Sequence, residues 1–150
     1  MKSIKVVERF YIKIIFVCFM LAVPGAGAAQ KLYNNSGAVI GRIDADGTVY
    51  DKNSLRLGQF RSDGTIRNNN SLIVGKIEKD GTIVGQDGLK IGKIRDDGQV
   101  IDQRGLYIGK VRQDGNVTDN SSIIIGKAKD VPMRYAAIIF FFNLFDVRLK

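Results

Sequence analysis

The hydrophobic positions of the chain repeat with a fixed period of 17 residues from Gly41 to Ile125. One glycine opens each unit, and an Asp-Gly pair stands at unit positions six and seven. Five units follow one another without insertion: 41–57, 58–74, 75–91, 92–108 and 109–125. Residues 31–40 match the second half of a unit, and residues 126–130 match the start of another. The repeat predicts a series of equivalent supersecondary units.

Within each unit the main apolar residues occupy positions three, nine, fifteen and seventeen. Position three holds Ile43, Phe60, Ile77, Ile94 and Val111, and position nine holds Val49, Ile66, Ile83, Val100 and Val117. Position fifteen holds Leu55, Leu72, Leu89, Leu106 and Ile123, and position seventeen holds Leu57, Val74, Ile91, Ile108 and Ile125. β-Branched residues at short alternating spacing, separated by Gly and Asn/Asp clusters, are typical of β-strands. The Asp-Gly pair predicts a tight turn, because glycine accepts a positive φ. The polar stretch near position twelve predicts a looser turn. Each unit is therefore predicted to be a β-hairpin with a link to the next.

The repeated glycine at position one interrupts the alternation. If Leu55 and Leu57 share the core face of a strand, strict alternation puts Gln59 there and turns Phe60 outward. A bulge or bend at Gly58 would return Phe60 to the core, whereas a strand buried on both faces is the alternative. We favour the bend, since curved sheets use glycine in this way.

One hairpin cannot bury its own apolar face, so the units must pack on one another. They either stack as an open solenoid or close into a ring. Pairing residues 31–40 with residues 126–130 would remove both sheet edges, which favours closure. The predicted fold is all-β, with five 17-residue hairpin repeats in a closed pseudo-five-fold array.

The repeat stops after Val131, and the following segment is apolar on every side from Ala136 to Phe142. A helix that begins at Pro132 with this composition would need complete burial, which the lumen of a closed ring provides. A central strand is the alternative, because Ile and Phe also favour β-structure. In both cases the closing segment 126–150 is expected to pack in or against the centre.

The N-terminus has the three-part pattern of a secretory signal peptide. Basic residues up to Lys13 precede an apolar run from Ile14 to Val23, and Pro24 and the small residues 25–29 follow. Ten apolar residues extend about 15 Å as a helix, which is too short for a bilayer core of about 30 Å.

Residues 1–29 are accordingly predicted to be removed, which leaves one mature domain over 30–150. The mature chain is predicted to have no transmembrane span and to be periplasmic, on the cell surface or secreted. Cys18 lies in the apolar run and is expected to be lost with the signal, so no disulfide supports the mature fold.

Composition excludes most catalytic chemistry. The chain has no His and one Cys, so it can form neither a Ser-His-Asp nor a Cys-His pair, nor a zinc-ligand set. Asp44, Asp46 and Asp51 suggest a calcium loop in the first unit, but the later units put Arg or Glu at the position of Asp44. The Asp of each Asp-Gly pair is better explained as a cap of the turn backbone. We predict a protein that is not an enzyme and has no cofactor or metal.

Basic residues recur at positions two and four, on the strand face opposite the apolar residue between them. The net charge of the whole chain is +8. A closed ring would repeat these residues as a belt that could hold an anionic envelope polymer or a membrane surface, whereas a solvated face that discourages edge pairing is the simpler explanation. Nucleic acid is not an expected partner, since interleaved aromatic residues are missing. The candidate belt residues are Arg42, Arg61, Lys76, Lys93, Arg95, Lys110, Arg112 and Lys127.

The Asp-Gly units, the Ile-Gly-Lys junctions at 91–93, 108–110 and 125–127, and the closing sequence GKAKDVPMRYAAIIFFF resemble the five-fold β-flower proteins, which are small secreted bacterial β-repeat proteins. The resemblance covers about residues 31–145 and implies a pseudo-five-fold array of hairpins in an exported protein. It carries over no functional residue. The expected function is therefore a structural or binding role in the bacterial cell envelope with an unknown ligand. A glycan-acting hydrolase that uses acidic residues in an end cleft is the alternative.

Overall fold

The computed structural model describes residues 27–145. Each strand pairs antiparallel with its neighbours in sequence, and the first strand pairs with the last, so the sheet closes into a barrel. The predicted closed all-β array is confirmed, and the open stack is excluded. The twelve strands are β1 (Gln30–Asn34), β2 (Val39–Ile43), β3 (Thr48–Asp51), β4 (Arg56–Phe60), β5 (Thr65–Asn68), β6 (Ile73–Ile77), β7 (Thr82–Gly85), β8 (Lys90–Ile94), β9 (Gln99–Asp102), β10 (Tyr107–Val111), β11 (Asn116–Asp119) and β12 (Ile124–Lys127).

The two partial repeats form a sixth hairpin in the register of the other five. Gly126 of β12 lies opposite Asn34 of β1, as Gly109 of β10 lies opposite Asp119 of β11. The array therefore consists of five continuous hairpins and one assembled from both ends of the chain. No turn joins the strands of this last hairpin, and we call the junction between β1 and β12 the seam.

The Asp-Gly turns are held by the aspartate side chain, as the sequence predicts. In the first of them, the backbone N–H of Thr48 donates to Oδ1 of Asp46 at 2.9 Å. Gly47 has a φ of 84°, and a β-carbon there would overlap the carbonyl oxygen of Phe60. The short distance between the two residues allows a hydrogen bond between them: the N–H of Phe60 donates to the carbonyl of Gly47 at 2.9 Å. Each Asp-Gly turn thus also ties one unit to the next.

The looser turns lie at the other end of the barrel and use Asn or Asp at position eleven, except in the third unit, where Gly85 takes that position. Oδ1 of Asn68 accepts hydrogen bonds from the N–H groups of Asn70 and Leu72, both at 3.0 Å. Ser71 takes a positive φ of 64°. These Asx turns recur at Asn34, Asp51, Asp102 and Asp119. We call the two ends of the barrel the Asp-Gly end and the Asx-turn end.

Two of the four apolar positions of the repeat are buried in the core. Residues at positions three and nine are at most 8% exposed, and those at position seventeen are partly buried against them. The prediction that position fifteen belongs to the core is wrong, since its members are 56–66% exposed. Leu55 shows the reason: its N–H is bonded to Oδ1 of Asp51, so it still belongs to the turn and lies beyond the end of the barrel wall.

The predicted irregularity at the repeated glycine is a β-bulge. Val49 lies opposite Gly58, and Tyr50 lies opposite Arg56, which makes Leu57 the additional residue of β4. The shift places both Leu57 and Phe60 against the core, as expected from a bulge.

The closing segment is helical and fills the lumen, which settles the choice between helix and strand. The helix α1 (Met133–Ala137) continues directly into a π-helix over Ile138–Phe142. The N–H of Asn143 donates to the carbonyl of Ile138 at 3.1 Å, the wide spacing of that helix. Residues 136–139 are at most 1% exposed, and the ring of Tyr135 stacks on that of Phe60 at 4.0 Å. We call residues 133–145 the plug.

The plug explains why position one is glycine. Successive apolar side chains of the plug meet successive units around the ring, and at five of the six glycines a β-carbon would come within 3.0 Å of a plug side chain. A β-carbon would also approach a backbone carbonyl oxygen of the neighbouring strand, as at Gly41 and Tyr50. The pairs are Gly126 with Phe140, Gly109 with Phe141, Gly92 with Phe142, Gly75 with Leu144, and Gly58 with Phe145.

Two predictions concern residues beyond this description. The proposed signal peptide lies outside the described residues up to position 26, as do residues 146–150 of the closing segment. Between residues 27 and 145, no helix is long and apolar enough to cross a membrane.

Candidate anion-binding belt

The residues at position two form a row around the outside of the barrel. Arg42 stands between Gly41 and the buried Ile43, so the alternation of β2 turns it outward. Its partner across the ladder is Tyr50, and the same register recurs in every unit. Five of the six members of the row are basic, and neighbours two strands apart are about 10 Å from each other. The row consists of Arg42, Gln59, Lys76, Lys93, Lys110 and Lys127.

All eight predicted belt residues lie on the outer surface, but in two rows. The position-four residues Arg61, Arg95 and Arg112 do not continue the strands; they open the Asp-Gly turns. The N–H of Arg61, for example, donates to the carbonyl of Thr65 at 2.9 Å across its turn. The belt is therefore an equatorial row of position-two residues with a second row at the Asp-Gly end, in which Asp44 and Glu78 alternate with the basic residues.

Acidic residues of the turns neutralise part of the belt. Nε of Arg42 lies 3.3 Å from Oδ1 of Asp44, and Nζ of Lys93 lies 3.5 Å from Oδ2 of Asp80. The Arg42 guanidinium also stacks on the ring of Tyr50, 4.1 Å from its centroid.

Nζ of Lys76 lies 4.0 Å from Oε1 of Glu78. Among the described residues no ion pair engages Lys110, Arg112 or Lys127. Arg61 and Arg95, farther round the ring, also have no ion pair among the described residues. The uncompensated charge of the belt is therefore spread round the barrel, and its part beside the seam consists of Lys110, Arg112 and Lys127.

The seam itself is a groove of about 800 Å³. Lys31, Lys127 and Lys129 line it, together with Tyr33, and its one acidic lining residue among residues 27–145 is Asp130. Residues 27–29, the end of the predicted signal peptide, form a further part of its wall, and the lysines belong to the predicted mature chain. The groove exists because this hairpin has no connecting turn and only two paired positions hold β1 to β12. Sequence reasoning found Lys127 and the position-four Lys129 but missed Lys31 and Tyr33. The register that pairs 31–40 with 126–130 could have placed Lys31 and Tyr33 beside Lys127.

The turn carboxylates are tied to the backbone. The N–H of Thr48 holds the pKa of Asp46 below its usual value, and the hydroxyl of Thr65 does the same for Asp63. The N–H of Thr82 and the nearby Lys93 lower the pKa of Asp80. These carboxyls are therefore stabilised as anions.

One groove of about 490 Å³ brings Asp63, Glu78 and Asp80 together beside Lys76 and Lys79. A glycosidase needs one carboxyl with a raised pKa to act as a general acid, whereas the pKa values of Asp63 and Asp80 are lowered.

The aspartates of the first unit, which suggest a calcium loop in the sequence, do not form a ligand cluster. Asp44 pairs with Arg42, and Oδ1 of Asp46 accepts the N–H of Thr48. Within the part of the chain that the structure describes, no group of three or more acidic, His or Cys side chains could hold a metal ion.

Comparison with known families gives one result. The family model described as 5-fold beta-flower protein matches residues 29–144. No curated protein and no solved structure matches the chain.

Proposed function

The chain belongs to the 5-fold β-flower protein family, and we propose that it is an exported, non-catalytic protein that binds an anionic polymer of the bacterial cell envelope along the seam. The observation that carries this proposal is the charge of the seam groove, where three lysines face one carboxylate.

The seam combines charge with a concave shape. Lys127 belongs both to the equatorial row and to the groove, so a polymer lying in the groove would continue onto the belt at Lys110. A concave basic surface concentrates anionic ligands more strongly than an exposed basic face. The phenol of Tyr33 and the amide of Asn116 supply hydrogen-bonding groups for a saccharide unit.

The export part of the proposal depends on the sequence pattern of residues 1–29, a basic region followed by an apolar run and small residues. An envelope location would bring the belt close to anionic polymers and lipid headgroups.

The non-catalytic part is supported by the lumen and the carboxylates. The plug fills the centre of the barrel with side chains that include the fully buried Ile138 and Ile139. Hydrogen bonding in the Asp-Gly turns favours charged carboxylates over protonated ones.

A glycan hydrolase is the second candidate, because Asp63, Glu78 and Asp80 line one groove. Release of reducing sugar from an envelope glycan, abolished in Glu78→Gln, would support this candidate over the binding function.

Binding can be tested with the full chain, purified as the expressing cell processes it. Dextran sulfate and neutral dextran serve as matched probes in a titration at low and at moderate salt. We expect binding to dextran sulfate alone, weakened by salt because the contacts are ionic.

The double variant Lys127→Gln/Lys129→Gln should lower the affinity by about 3- to 30-fold, at a few tenths to 1 kcal/mol for each exposed charge. Lys52→Gln, at an exposed Asx turn, is the charge-matched control for one substitution and should bind normally. Equal affinity of the wild type and the double variant would remove the seam as the site.

A further inference from the structure

A ring of large apolar side chains is exposed at the Asx-turn end of the barrel. Each member is the position-fifteen residue that ends a turn, so the members recur at one level around the ring; four of them complete Asx turns, and the N–H of Leu89 bonds to Oδ1 of Asp87 instead. We call these residues the leucine rim: Leu55 (63% exposed), Leu72 (58%), Leu89 (66%), Leu106 (56%) and Ile123 (62%).

The apolar surface extends beyond the rim. Val39, Ile73, Tyr107 and Ile124, at the next unit position, are 40–48% exposed. Inside the rim, the position-seventeen residues and the partly buried plug side chains Phe141 and Phe142 contact the core. Single exposed leucines are ordinary on protein surfaces, whereas a ring of them on one end marks an interaction surface.

The shape of this end restricts what can cover it. Because the plug occupies the lumen, a partner must cover the end as a broad apolar surface rather than insert deeply into it.

The charges at this end favour a partner of mixed sign. Lys52 stands next to Asp51, Lys90 stands close to Asp87, and Nε of Arg104 lies 3.6 Å from Oδ2 of Asp102. Such a surface attracts an anionic membrane weakly, since membrane-binding surfaces gather basic residues without acids. The Asx-turn end does complement another surface on which positive and negative charges alternate around an apolar ring.

We propose that the leucine rim is the contact face of an end-to-end dimer of this chain. A two-fold dimer uses the same patch on both copies, so every rim residue is buried twice. The near-equivalent units also allow acidic and basic turns of one copy to face those of the other.

The proposed dimer is concentration-dependent. A fully buried aliphatic side chain removes on the order of 100 Å² from water, so nine roughly half-exposed residues supply about 300–500 Å² per copy. A standard interface buries about 800 Å² per partner. The turns therefore have to contribute the remainder, and dilution should dissociate the dimer. The inference is independent of anion binding at the seam.

The test is sedimentation velocity of the full chain, as the cell processes it, over a wide concentration range. We expect the wild type to shift from monomer to dimer with concentration. Leu72→Glu and Leu106→Glu should remain monomeric with an unchanged melting temperature, because both residues are exposed. Gln113→Glu adds the same charge at the exposed Asp-Gly end and should dimerise normally.

Cross-linking provides a second measurement that needs no change in the rim. A long, flexible bis-maleimide cross-linker should join two copies of Asn70→Cys, at an Asx turn, into a covalent dimer, and should not join two copies of Gln113→Cys at the opposite end. A wild type that is monomeric at every concentration would refute the dimer. Rim-dependent binding of the monomer to phosphatidylglycerol vesicles would refute it in favour of a lipid surface.

Discussion

Ending the chain after Asp130 would remove the plug and leave the barrel wall otherwise complete. Four large plug side chains, Ile138, Ile139, Phe140 and Phe145, are at most 6% exposed. Burying each stabilises the fold by about 1.5–3 kcal/mol, which gives about 6–12 kcal/mol in total. A domain of this size has a total stability of about 5–15 kcal/mol. We therefore expect the shortened chain to aggregate or to bind a hydrophobic dye.

Phe140→Ala provides a graded form of the same perturbation. The ring of Phe140 lies against Gly126, and deleting a buried Phe side chain costs about 3–5 kcal/mol. The melting temperature should fall by about 10–20 °C for a domain of this length. Leu106→Ala is the control: its side chain is 56% exposed, so the melting temperature should hardly change.

The assays are thermal unfolding by circular dichroism and dye fluorescence, made at a concentration where the wild type is monomeric. The plug argument is refuted if the shortened chain stays monomeric and melts at the wild-type temperature. The C-terminal segment would then be an exposed docking peptide rather than part of the core.

Three further predictions concern the wall and its turns. Gly92→Ala should lower the melting temperature more than Gly41→Ala, because its β-carbon would meet the ring of Phe142 as well as a backbone carbonyl. Asp102→Ala removes the acceptor of two backbone N–H groups, and the free energy of unfolding in a denaturant titration should fall by about 1–3 kcal/mol. Asp102→Asn should change it little, because Asn68 caps its turn in the same way. The turn aspartates have lowered pKa values in the folded chain, so they stabilise the fold above their unfolded pKa of about 3.9. The melting temperature should therefore be constant above about pH 5 and fall as the pH drops below 4. A melting temperature that does not change with pH would contradict this.

The elements that the sequence predicts correctly are those with a local physical cause. Asp-Gly pairs require a positive φ, and Gly47 adopts one. The change of phase between Leu57 and Phe60 requires an additional residue, which the bulge supplies. Closure of the sheet could be predicted because each of the two partial repeats, 31–40 and 126–130, leaves a sheet edge that the other can pair with.

Position fifteen could not be assigned from the apolar pattern, because that pattern does not show where a turn ends. Leu55 follows the polar run 52–54, and its N–H completes the Asx turn of Asp51. Only the hydrogen bonding of that turn reveals that the side chain lies beyond the wall. The ion pair between Lys93 and Asp80 also arises between neighbouring units, so a belt considered one unit at a time overstates the free positive charge.

Specific recognition in such a ring has to arise where the repetition fails. Five sectors share nearly the same hairpin, so a ligand that recognised only their common surface would bind in several equivalent positions. The seam differs from them in two ways that its sequence makes unavoidable: it has no Asp-Gly turn, and its strands come from opposite ends of the chain. Lys31 and Lys129, which no single continuous hairpin could bring together, line the groove that results. The closing junction is therefore the place where the ligand that we propose would have a single binding orientation.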